Sequence, residues 1–439
     1  MRRRHAYAIV LAAAVVPRAI VLASEGRTIL EELVEKSDRF AQTLVASGTF
    51  GFLPGRPSGY TQPLYAWFLA GLYQVLERNW LVVGIAQIAV AAVTALLVLE
   101  IGRRVSSLTV GVVGAVIATV HPFLVWHDVH VNREILDGLL MAAIALLALV
   151  VAERRGGLLA LALGATLGLA ILGNARLALL PVALAAFVAV PLRPPSRSLL
   201  LVGAVLAGAA LVVAPWVARN ESRVGCATIT TDTRALWKAN NLNTRDVLER
   251  GGWIDDVPEP IGAPPWPELA ADLTLAGQPT EVDECAQARY YRELVVDFWR
   301  DHPREKLRLM TQAVAMLWSP TFSVEADEEP APEAAEGEVG AREPGSGGGL
   351  VELARDWIEP LFMVVVYIAA VAGAFLVPRR FLGLVAILLA YNTLAAMAFA
   401  GTVRYRAPFD FLLAILAAAA LVRAAEILRV RRRRAALRM

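Results

Sequence analysis

The sequence has few charged residues, and this shortage excludes several classes of protein. Asp, Glu, Lys and Arg make up 19% of the 439 residues, whereas 57% are hydrophobic and the mean hydropathy is +0.54. A soluble domain has more charge, and a disordered chain has a much lower apolar content. The composition therefore excludes an ordinary cytosolic enzyme and a disordered protein, and it predicts a polytopic membrane protein.

Cysteine is scarce as well, with Cys226 and Cys285 as the only two. Two cysteines are too few for a secreted disulfide scaffold, and the absence of a CxxC motif argues against a cysteine-based metal site. Both lie in one polar segment that we expect outside the membrane, where a disulfide closing a loop of about 60 residues is permitted. We predict that disulfide, with two free thiols as the alternative.

Internal repeats are also missing. A period of 20–50 residues is not evident, which argues against a solenoid. The two halves do not show the paired, broken hydrophobic segments of an inverted-repeat transporter.

Long apolar stretches are what the sequence does have. A membrane helix needs roughly 20 apolar residues. We predict an all-α membrane protein with about ten spans, at 5–24, 80–102, 107–126, 135–152, 157–173, 176–192, 198–217, 357–377, 381–401 and 408–426. The run 63–76 is too short for a comfortable span and is predicted to be an interfacial or re-entrant helix. A signal peptide is the alternative for the first span, but Arg18 interrupts its apolar run.

Charge is segregated between the predicted loops, although the net charge is only +2. With ten spans, every arginine cluster falls on one side, which the positive-inside rule makes cytoplasmic together with both termini. These clusters are Arg2–Arg4, Arg103–Arg104, Arg154–Arg155, Arg193–Arg197, Arg379–Arg380 and Arg429–Arg434. The loops 25–79 and 218–350 then face outward, and the second has 24 acidic against 13 basic residues.

Four domains follow from this pattern. Residues 1–217 form an N-terminal transmembrane module that includes the outward loop 25–79, and 218–324 form an extracytoplasmic cap with five tryptophans. The stretch 325–350 is acidic and lacks large apolar residues, so it is predicted to be a disordered linker. Residues 351–439 form a C-terminal three-helix module with a basic tail.

Polar residues concentrate where the predicted spans meet the outside, and expensive polar groups at membrane level indicate function. The first outward loop has the carboxylates Glu31, Glu32, Glu35 and Asp38, followed by a turn with Tyr60 and Gln62. A solvated acidic face is the alternative interpretation of these carboxylates.

A second polar cluster occupies 121–138. His127, Asp128, His130, Glu134 and Asp137 lie close together there. A helical turn would place both histidines on one face with Glu134 one turn further, and this spacing suits a divalent metal. A hydrogen-bonding or acid–base role is the alternative.

Four arginines are predicted at outward helix ends: Arg176, Arg219, Arg404 and Arg406. Each is interpreted as an anchor for an anionic phosphate, because the guanidinium fork matches phosphate geometry. The alternative is snorkelling to lipid headgroups or pairing with the acidic cap.

Several motifs in order along the chain resemble those of the GT-C superfamily of membrane glycosyltransferases, in particular the bacterial group similar to dolichyl-phosphate-mannose-protein mannosyltransferases, which includes the aminoarabinose transferases of lipid A. The motifs are SDRFAQTLVASGTFG (37–51), the Pro/Tyr-rich entry to 63–76, GLAILGNARLALLP, PWVARN, LWKANN and RYRAPFD. The resemblance covers nearly the whole chain and implies transfer of a sugar from a polyprenyl phosphate to an acceptor, usually with inversion.

The resemblance also implies roles for residues. An outward-loop carboxylate serves as general base, and Asp38 matches it best. Glu32 is the second candidate, because relatives carry an Asp-Glu pair followed by Tyr where this chain has Glu31, Glu32 and Leu33. Asp128 or Glu134 matches the acidic position of the second loop.

Phosphate contacts are expected from Arg219, Arg404, Arg176 and Arg406. The Tyr60–Gln62 turn and the LWKANN motif, with Trp237 and Asn240, complete the expected substrate site. Asp38→Asn is expected to leave the protein folded and to abolish transfer.

The expected donor is a polyprenyl-phosphate-linked sugar, with a divalent metal at His127 and His130 left open. The expected partners are membrane lipid and an extracytoplasmic acceptor, which is a protein, a glycolipid or a wall polysaccharide, and no nucleic acid. The expected location is the bacterial cytoplasmic membrane, with the active site facing outward. The alternatives are a transporter or flippase of lipid-linked sugars, and a scaffold whose cap binds a partner.

Overall fold

A computed structural model describes residues 3–32, 34–189, 195–320 and 357–436. Within these ranges the chain is helical, and an isolated bridge between Leu53 and Arg56 is the sole β feature. The protein is therefore an all-α membrane protein, as the apolar composition predicts. The predicted linker 325–350 lies outside the described residues.

The N-terminal module contains long helices joined by short polar segments. Its helices are α1 (Arg3–Glu25), α2 (Lys36–Ser47), α3 (Pro63–Leu76), α4 (Trp80–Val105), α5 (Leu108–Thr119), α6 (Pro122–His127), α7 (Glu134–Arg154), α8 (Gly157–Gly173), α9 (Leu180–Ala189) and α10 (Pro195–Arg223). Short 3₁₀ turns at Gly26–Leu30 and Ala175–Leu177 extend α1 and precede α9.

The cap and the C-terminal module complete the fold. The cap contains α11 (Arg234–Lys238), α12 (Thr244–Glu249), α13 (Pro267–Leu275), α14 (Glu284–Asp301) and α15 (Pro303–Leu317). The C-terminal module contains α16 (Glu359–Ala374), α17 (Arg379–Ala398), α18 (Val403–Arg406) and α19 (Asp410–Ala436).

Six helical stretches of the described chain are long and apolar enough to cross a membrane. They are Arg3–Leu30, Trp80–Val105, Glu134–Arg154, Ser198–Arg223, Arg379–Ala398 and Val403–Ala436. The other four predicted spans correspond to shorter apolar helices, so the number ten stays a prediction. Helix α3 has 14 residues, as expected for the run 63–76.

The predicted span 107–126 is broken. Helix α5 ends at Thr119, His121 is not helical, and α6 begins at Pro122. Proline disfavours helical geometry in the residue before it and lacks a backbone donor, which explains the break. The break shortens the apolar helix and turns the polar segment after Pro122 back toward the first outward loop.

Small residues allow the closest helix packing. Where α8 meets α10, a Cβ at Gly164 would collide with the backbone of Val205, and one at Gly208 with the backbone of Leu161. Without side chains the two backbones approach closely, which is a common way for membrane helices to associate. The result is a closely packed pair of helices, α8 and α10.

A disulfide fastens the cap internally, and a buried carboxylate beside it joins the cap to the first outward loop. Cys226 and Cys285 form a disulfide, with an S–S distance of 2.06 Å. The neighbouring carboxylate of Glu284 accepts hydrogen bonds from the Gly59 backbone (2.9 Å) and the Thr231 hydroxyl (2.8 Å). Burial raises the pKa of Glu284 above its usual value. These contacts make the loop and the cap one wall of the cavity described next.

Candidate active site

A cavity of about 1270 Å³ lies between the helix ends of the N-terminal module, the cap and α17. Its volume exceeds that of a usual small-molecule pocket, so it has space for more than one substrate. Its charged lining residues are Glu35, Lys36, Arg133, Arg176, Asp232, Asp255, Glu268 and Arg404, with His127 beside them. The lining comes from segments far apart in sequence, which only the fold brings together.

Glu35 places a carboxylate on the cavity wall. It immediately precedes α2 in extended geometry, and its backbone N–H donates to the Val131 carbonyl (3.3 Å). Its side chain is 16% exposed and hydrogen-bonded to the Arg404 guanidinium. Glu35 is thus fixed by both backbone and side chain while its carboxylate stays on the cavity.

Arg404 joins three segments at the floor of the cavity. Besides Glu35, it donates to both carboxylate oxygens of Glu134, at 2.6 and 3.1 Å. Glu134 is buried at the start of α7 and also contacts the His127 imidazole at 3.3 Å. The predicted acidic and basic positions Glu134 and Arg404 therefore form one ion-pair network with Glu35.

Arg176 is presented by the 3₁₀ turn before α9. The Asn174 side chain caps this turn by accepting from the Arg176 backbone N–H (3.3 Å). The guanidinium lies over the Tyr405 ring, 3.9 Å from its centroid. Its Nε and Nη2 atoms are buried and have no hydrogen-bond partner within the described chain. Buried donors of this kind are rare without a ligand, so Arg176 has two donors available for an anion.

Arg133 lies on the same part of the wall. Its Nη1 donates to the Gln62 side chain (3.1 Å), while its buried Nε has no hydrogen-bond partner among the described residues. Burial lowers the pKa of Arg133, but the nearby Glu35 and Glu134 outweigh it and raise that pKa above its usual value. The guanidinium is therefore charged, and its Nε lies 3.7 Å from a Glu134 carboxylate oxygen, too far for a hydrogen bond, so this third donor is still available to an anion.

One side of the cavity is apolar. Leu179, Val182 and Leu394 line it and are 71%, 59% and 63% exposed. The Tyr391 hydroxyl connects the two walls of this side, because it accepts from the Leu179 backbone (3.1 Å) and donates to the Arg176 carbonyl (2.8 Å). An apolar groove between α9 and α17 thus leads directly to Arg176.

The cap side of the cavity is polar. Lys36 lies 3.5 Å from the Asp232 carboxylate and 4.7 Å above the Tyr60 ring. Asp255, Glu268 and the cap hydroxyls of Thr230 and Thr233 line the same side. Burial lowers the pKa of Lys36, but Asp232, Glu268 and Asp255 outweigh it and raise the pKa above its usual value. This side offers carboxylate and hydroxyl oxygens to a polar ligand.

Asp38, the predicted base, does not line the cavity. Its carboxylate is 4% exposed and accepts from the Tyr73 hydroxyl (2.5 Å), the Arg78 guanidinium (2.9 Å) and the Gln42 amide (2.8 Å). The physical reason is the start of the helix: Glu35 is the extended residue before α2, whereas Asp38 lies within α2 and packs against Tyr73 of α3. Asp38 is thus enclosed by neighbouring side chains, whereas Glu35 lines the cavity.

Glu32 and Asp128 are also outside the cavity. Glu32 lies on the exposed surface. Asp128 is buried and accepts from Arg18 at 2.6 and 2.9 Å. Arg18 also donates to the Thr119 carbonyl, so this pair ties α1 to the end of α5. Asp128 therefore provides the hydrogen-bond acceptor and the counter-charge for Arg18, the arginine that interrupts the first span.

The predicted metal pair is not assembled. Residues 128–133 are not helical, so His127 and His130 do not share a helix face with Glu134. The His130 ring stacks on Trp126 and its Nδ1 pairs with the Trp126 carbonyl, whereas His127 contacts Glu134. Burial lowers the pKa of His130. Among the described residues, no group of three or more His, Cys, Asp or Glu side chains is suited to hold a metal ion.

Of the other predicted substrate residues, Gln62 lines the cavity and the rest lie around it. Arg219 donates to the Ser58 and Phe50 carbonyls at 2.7 and 3.0 Å. Arg406 is fully buried against Asp410. The remaining three make internal contacts. Tyr60 lies beneath Lys36, Trp237 packs against Tyr291, and Asn240 accepts hydrogen bonds from Trp299 and Lys306.

Sequence reasoning missed several charged residues of the cavity, among them Glu35, Lys36 and Arg133. Glu35 was recognised only as one of four loop carboxylates, while Lys36 and Arg133 were not selected. The signal for Glu35 is local, because it directly precedes the amphipathic helix α2. Arg133 has a weaker signal, as a charge directly before an apolar run.

Comparison with known families gives one match. Residues 56–218 match the family model of dolichyl-phosphate-mannose-protein mannosyltransferases. The matched segment covers somewhat more than a third of the chain and includes Gln62, Arg133, Glu134 and Arg176, but neither Glu35 nor Arg404. No curated protein matches the chain. The family match agrees with the resemblance drawn from the sequence motifs.

Proposed function

We propose that this chain, a membrane glycosyltransferase of GT-C type, moves a sugar from a polyprenyl phosphate onto a hydroxyl group of an extracytoplasmic acceptor. The observation that carries the proposal is a group of three buried guanidinium nitrogens that make no hydrogen bond within the described chain, two on Arg176 and one on Arg133, at the inner end of an apolar groove. A phosphate joined to a long isoprenoid chain has the matching chemistry, an anion followed by an apolar tail.

The donor phosphate is proposed to bind at Arg176 and Arg133. Each guanidinium offers charge-assisted hydrogen bonds, which are about twice as strong as neutral ones. The isoprenoid chain then lies along Leu179, Val182 and Leu394, where burial of apolar area stabilises it by roughly 25 cal/mol per Å². This arrangement delivers the donor from the membrane without removing its tail from an apolar environment.

Glu35 is proposed as the general base. Its carboxylate takes the proton of the acceptor hydroxyl while the oxygen forms a bond to C1 of the sugar. The bond between C1 and the phosphate oxygen breaks, and the electron pair leaves with the polyprenyl phosphate. Attack opposite to the leaving group inverts the configuration at C1.

Arg404 is proposed to link donor binding to the release of this base. In the present structure the Arg404 guanidinium donates a hydrogen bond to the Glu35 carboxylate, the group that would accept the proton of the acceptor hydroxyl. A phosphate arriving beside Arg404 competes for the same donors, while Glu134 retains its own contact. Glu35 would then be free for the acceptor only when a donor is present.

The acceptor is proposed to enter from the cap side. The oxygens of Asp232, Asp255, Thr230 and Thr233 accept hydrogen bonds from hydroxyl groups, which supports a hydrophilic acceptor. The protein, glycolipid and wall polysaccharide classes all satisfy this chemistry. We further propose that the cap faces outward from a bacterial cytoplasmic membrane and both termini face inward, in keeping with the positive-inside rule and the disulfide.

The test is an assay in proteoliposomes with a radiolabelled sugar on a polyprenyl phosphate. Transfer to an added cell-envelope acceptor supports the proposal, and loss of transfer in Glu35→Gln with normal transfer in the exposed control Glu31→Gln supports the base. Movement of the labelled lipid between leaflets without sugar transfer would overturn the proposal in favour of a carrier. Full transfer by Glu35→Gln would remove Glu35 from the chemistry.

A further inference from the structure

Asp137 is a buried carboxylate directly behind the cavity. It is 3% exposed, lies on α7 four residues after Arg133 and does not line the large cavity. One of its oxygens, Oδ2, accepts a hydrogen bond from the Asn174 side-chain amide at 3.0 Å. The other, Oδ1, is buried without a hydrogen-bond partner in the described chain. A buried oxygen without a hydrogen bond lowers stability, so its presence needs an explanation.

Asn174 connects Asp137 to Arg176. Its amide nitrogen donates to Asp137, so its amide oxygen points the other way and accepts from the Arg176 backbone N–H (3.3 Å). That bond caps the 3₁₀ turn whose central residue is Arg176. The orientation of Asn174, and with it the position of the turn, depends on an acceptor at Asp137.

The charge of Asp137 acts on both arginines. It interacts electrostatically with Arg133 and with Arg176, the two residues with unpartnered guanidinium donors. Asp137 and Arg176 also line a small separate cavity of about 10 Å³ together with Arg404 and Tyr405. A cavity of that size holds at most one water molecule, so no lipid phosphate reaches Asp137 itself.

We infer that Asp137 is a positioning residue for the phosphate-binding arginines, a role that rests on the proposed function. Through Asn174 it holds the turn that aims Arg176 into the cavity, and its negative charge balances the two guanidinium groups while no phosphate is bound. The hydrogen bond and the charge have separable effects, because asparagine retains an acceptor without the charge, whereas leucine of similar volume has neither.

The two variants should therefore change the affinity for polyprenyl phosphate in opposite directions. Asp137→Leu loses the acceptor for Asn174 and weakens polyprenyl phosphate binding about tenfold, the effect of one charge-assisted hydrogen bond. Asp137→Asn keeps the turn and removes the competing charge, so it binds polyprenyl phosphate more tightly and releases this product more slowly. In transfer assays the first variant raises the KM for the donor, and the second lowers kcat with an unchanged or lower KM.

A double-mutant cycle tests the path through Asn174. If Asp137 acts through Asn174, Asp137→Leu/Asn174→Ala weakens binding no more than either single variant, because coupled residues are not additive. Direct binding of a long-chain polyprenyl phosphate to the purified full chain is the readout, with the KM for the acceptor as an internal control.

The inference is overturned if both Asp137 variants bind the lipid phosphate as the wild type does, if both weaken it equally, or if the cycle is additive. It is also overturned if the KM values for donor and acceptor rise together, since that pattern reflects a general loss of structure. A wild-type protein that binds polyprenyl phosphate without transferring sugar would contradict the proposed function. The binding experiment would still test the role of Asp137, because it does not depend on transfer.

Discussion

The guanidinium of Arg404 donates a hydrogen bond to the carboxylate of Glu35, a residue 369 positions earlier in the chain. The two come from the first outward loop and the turn before the last helix, and Glu134 on α7 accepts from the same guanidinium. This contact closes the floor of the large cavity. It also pairs Glu35, the one carboxylate of the described first outward loop that lines the cavity, with an arginine, a residue type that binds phosphate.

Glu35→Gln should abolish transfer while the protein stays folded. Loss of a general base lowers the rate by about 10²–10⁴-fold. Because glutamine still accepts a hydrogen bond from Arg404, the donor KM should change little. Initial rates at saturating donor and acceptor measure kcat, and Glu31→Gln on the exposed surface is the matched control.

Asp38→Ala should affect stability first. It leaves the Tyr73 hydroxyl, the Arg78 guanidinium and the Gln42 amide without their common acceptor. Loss of these bonds lowers the free energy of unfolding by about 1–3 kcal/mol. The measurement is the thermal midpoint in detergent, together with kcat of the fraction that remains folded. A folded Asp38 variant without activity would return the role of base to Asp38.

Arg176→Ala should raise the KM for the donor. The variant removes the two unpartnered donors and the contact with the Tyr405 ring, so we expect a loss of at least tenfold in affinity for the lipid phosphate. Arg176→Lys should recover part of it, because lysine keeps the charge without the planar fork. Arg300, which is exposed on the cap, provides the control Arg300→Ala. Equal donor KM values in Arg176→Ala and the wild type would contradict the assignment.

Removal of the disulfide should destabilise the cap. Cys226 and Cys285 are 59 residues apart, and closing a loop of that length contributes about 4 kcal/mol in the chain-entropy description. Cys226→Ser/Cys285→Ser should therefore lower the thermal midpoint and increase proteolysis within 226–317, and reducing agent should do the same to the wild type. Unchanged proteolysis after reduction would show that the other cap contacts suffice.

Stability should depend on pH through Glu284. Burial raises its pKa, so the folded protein binds this proton more tightly than the unfolded chain does. The corresponding stabilisation is complete below the pKa of an exposed glutamate, about 4.3, and is lost as pH rises through the raised pKa. Glu284→Gln keeps an acceptor for Gly59 and Thr231 and lacks this titration. The difference in thermal midpoint between variant and wild type should therefore shift in favour of the variant from pH 4 upward. A difference that is independent of pH would contradict this account.

Much of the site was predictable as a region and little of it residue by residue. The arginines Arg176 and Arg404, the carboxylate Glu134 and Gln62 were selected from their places at helix ends, and all four belong to the cavity or its ion-pair network. Asp38 and Asp128 were selected by the same logic, yet each is enclosed by its own arginine, Arg78 or Arg18. A charged residue at a helix end indicates a functional region. Whether its side chain faces a ligand or a neighbouring helix depends on the residue with which it pairs in the fold.

The sequence by itself determined the all-α membrane architecture, because apolar runs of about 20 residues have few stable alternatives to helices in lipid. It also determined the short helix α3, since the apolar run 63–76 is too short for a span, whereas the break before Pro122 within the predicted span 107–126 appeared only in the structure. Only the tertiary structure distinguishes the surroundings of Glu35 from those of Asp38. The two are three residues apart and chemically similar. Asp38 faces α3 and Arg78, whereas Glu35 faces the cavity and Arg404. The difference depends on contacts between residues hundreds of positions apart in the chain, such as Glu35 and Arg404, which local sequence pattern and composition do not reveal.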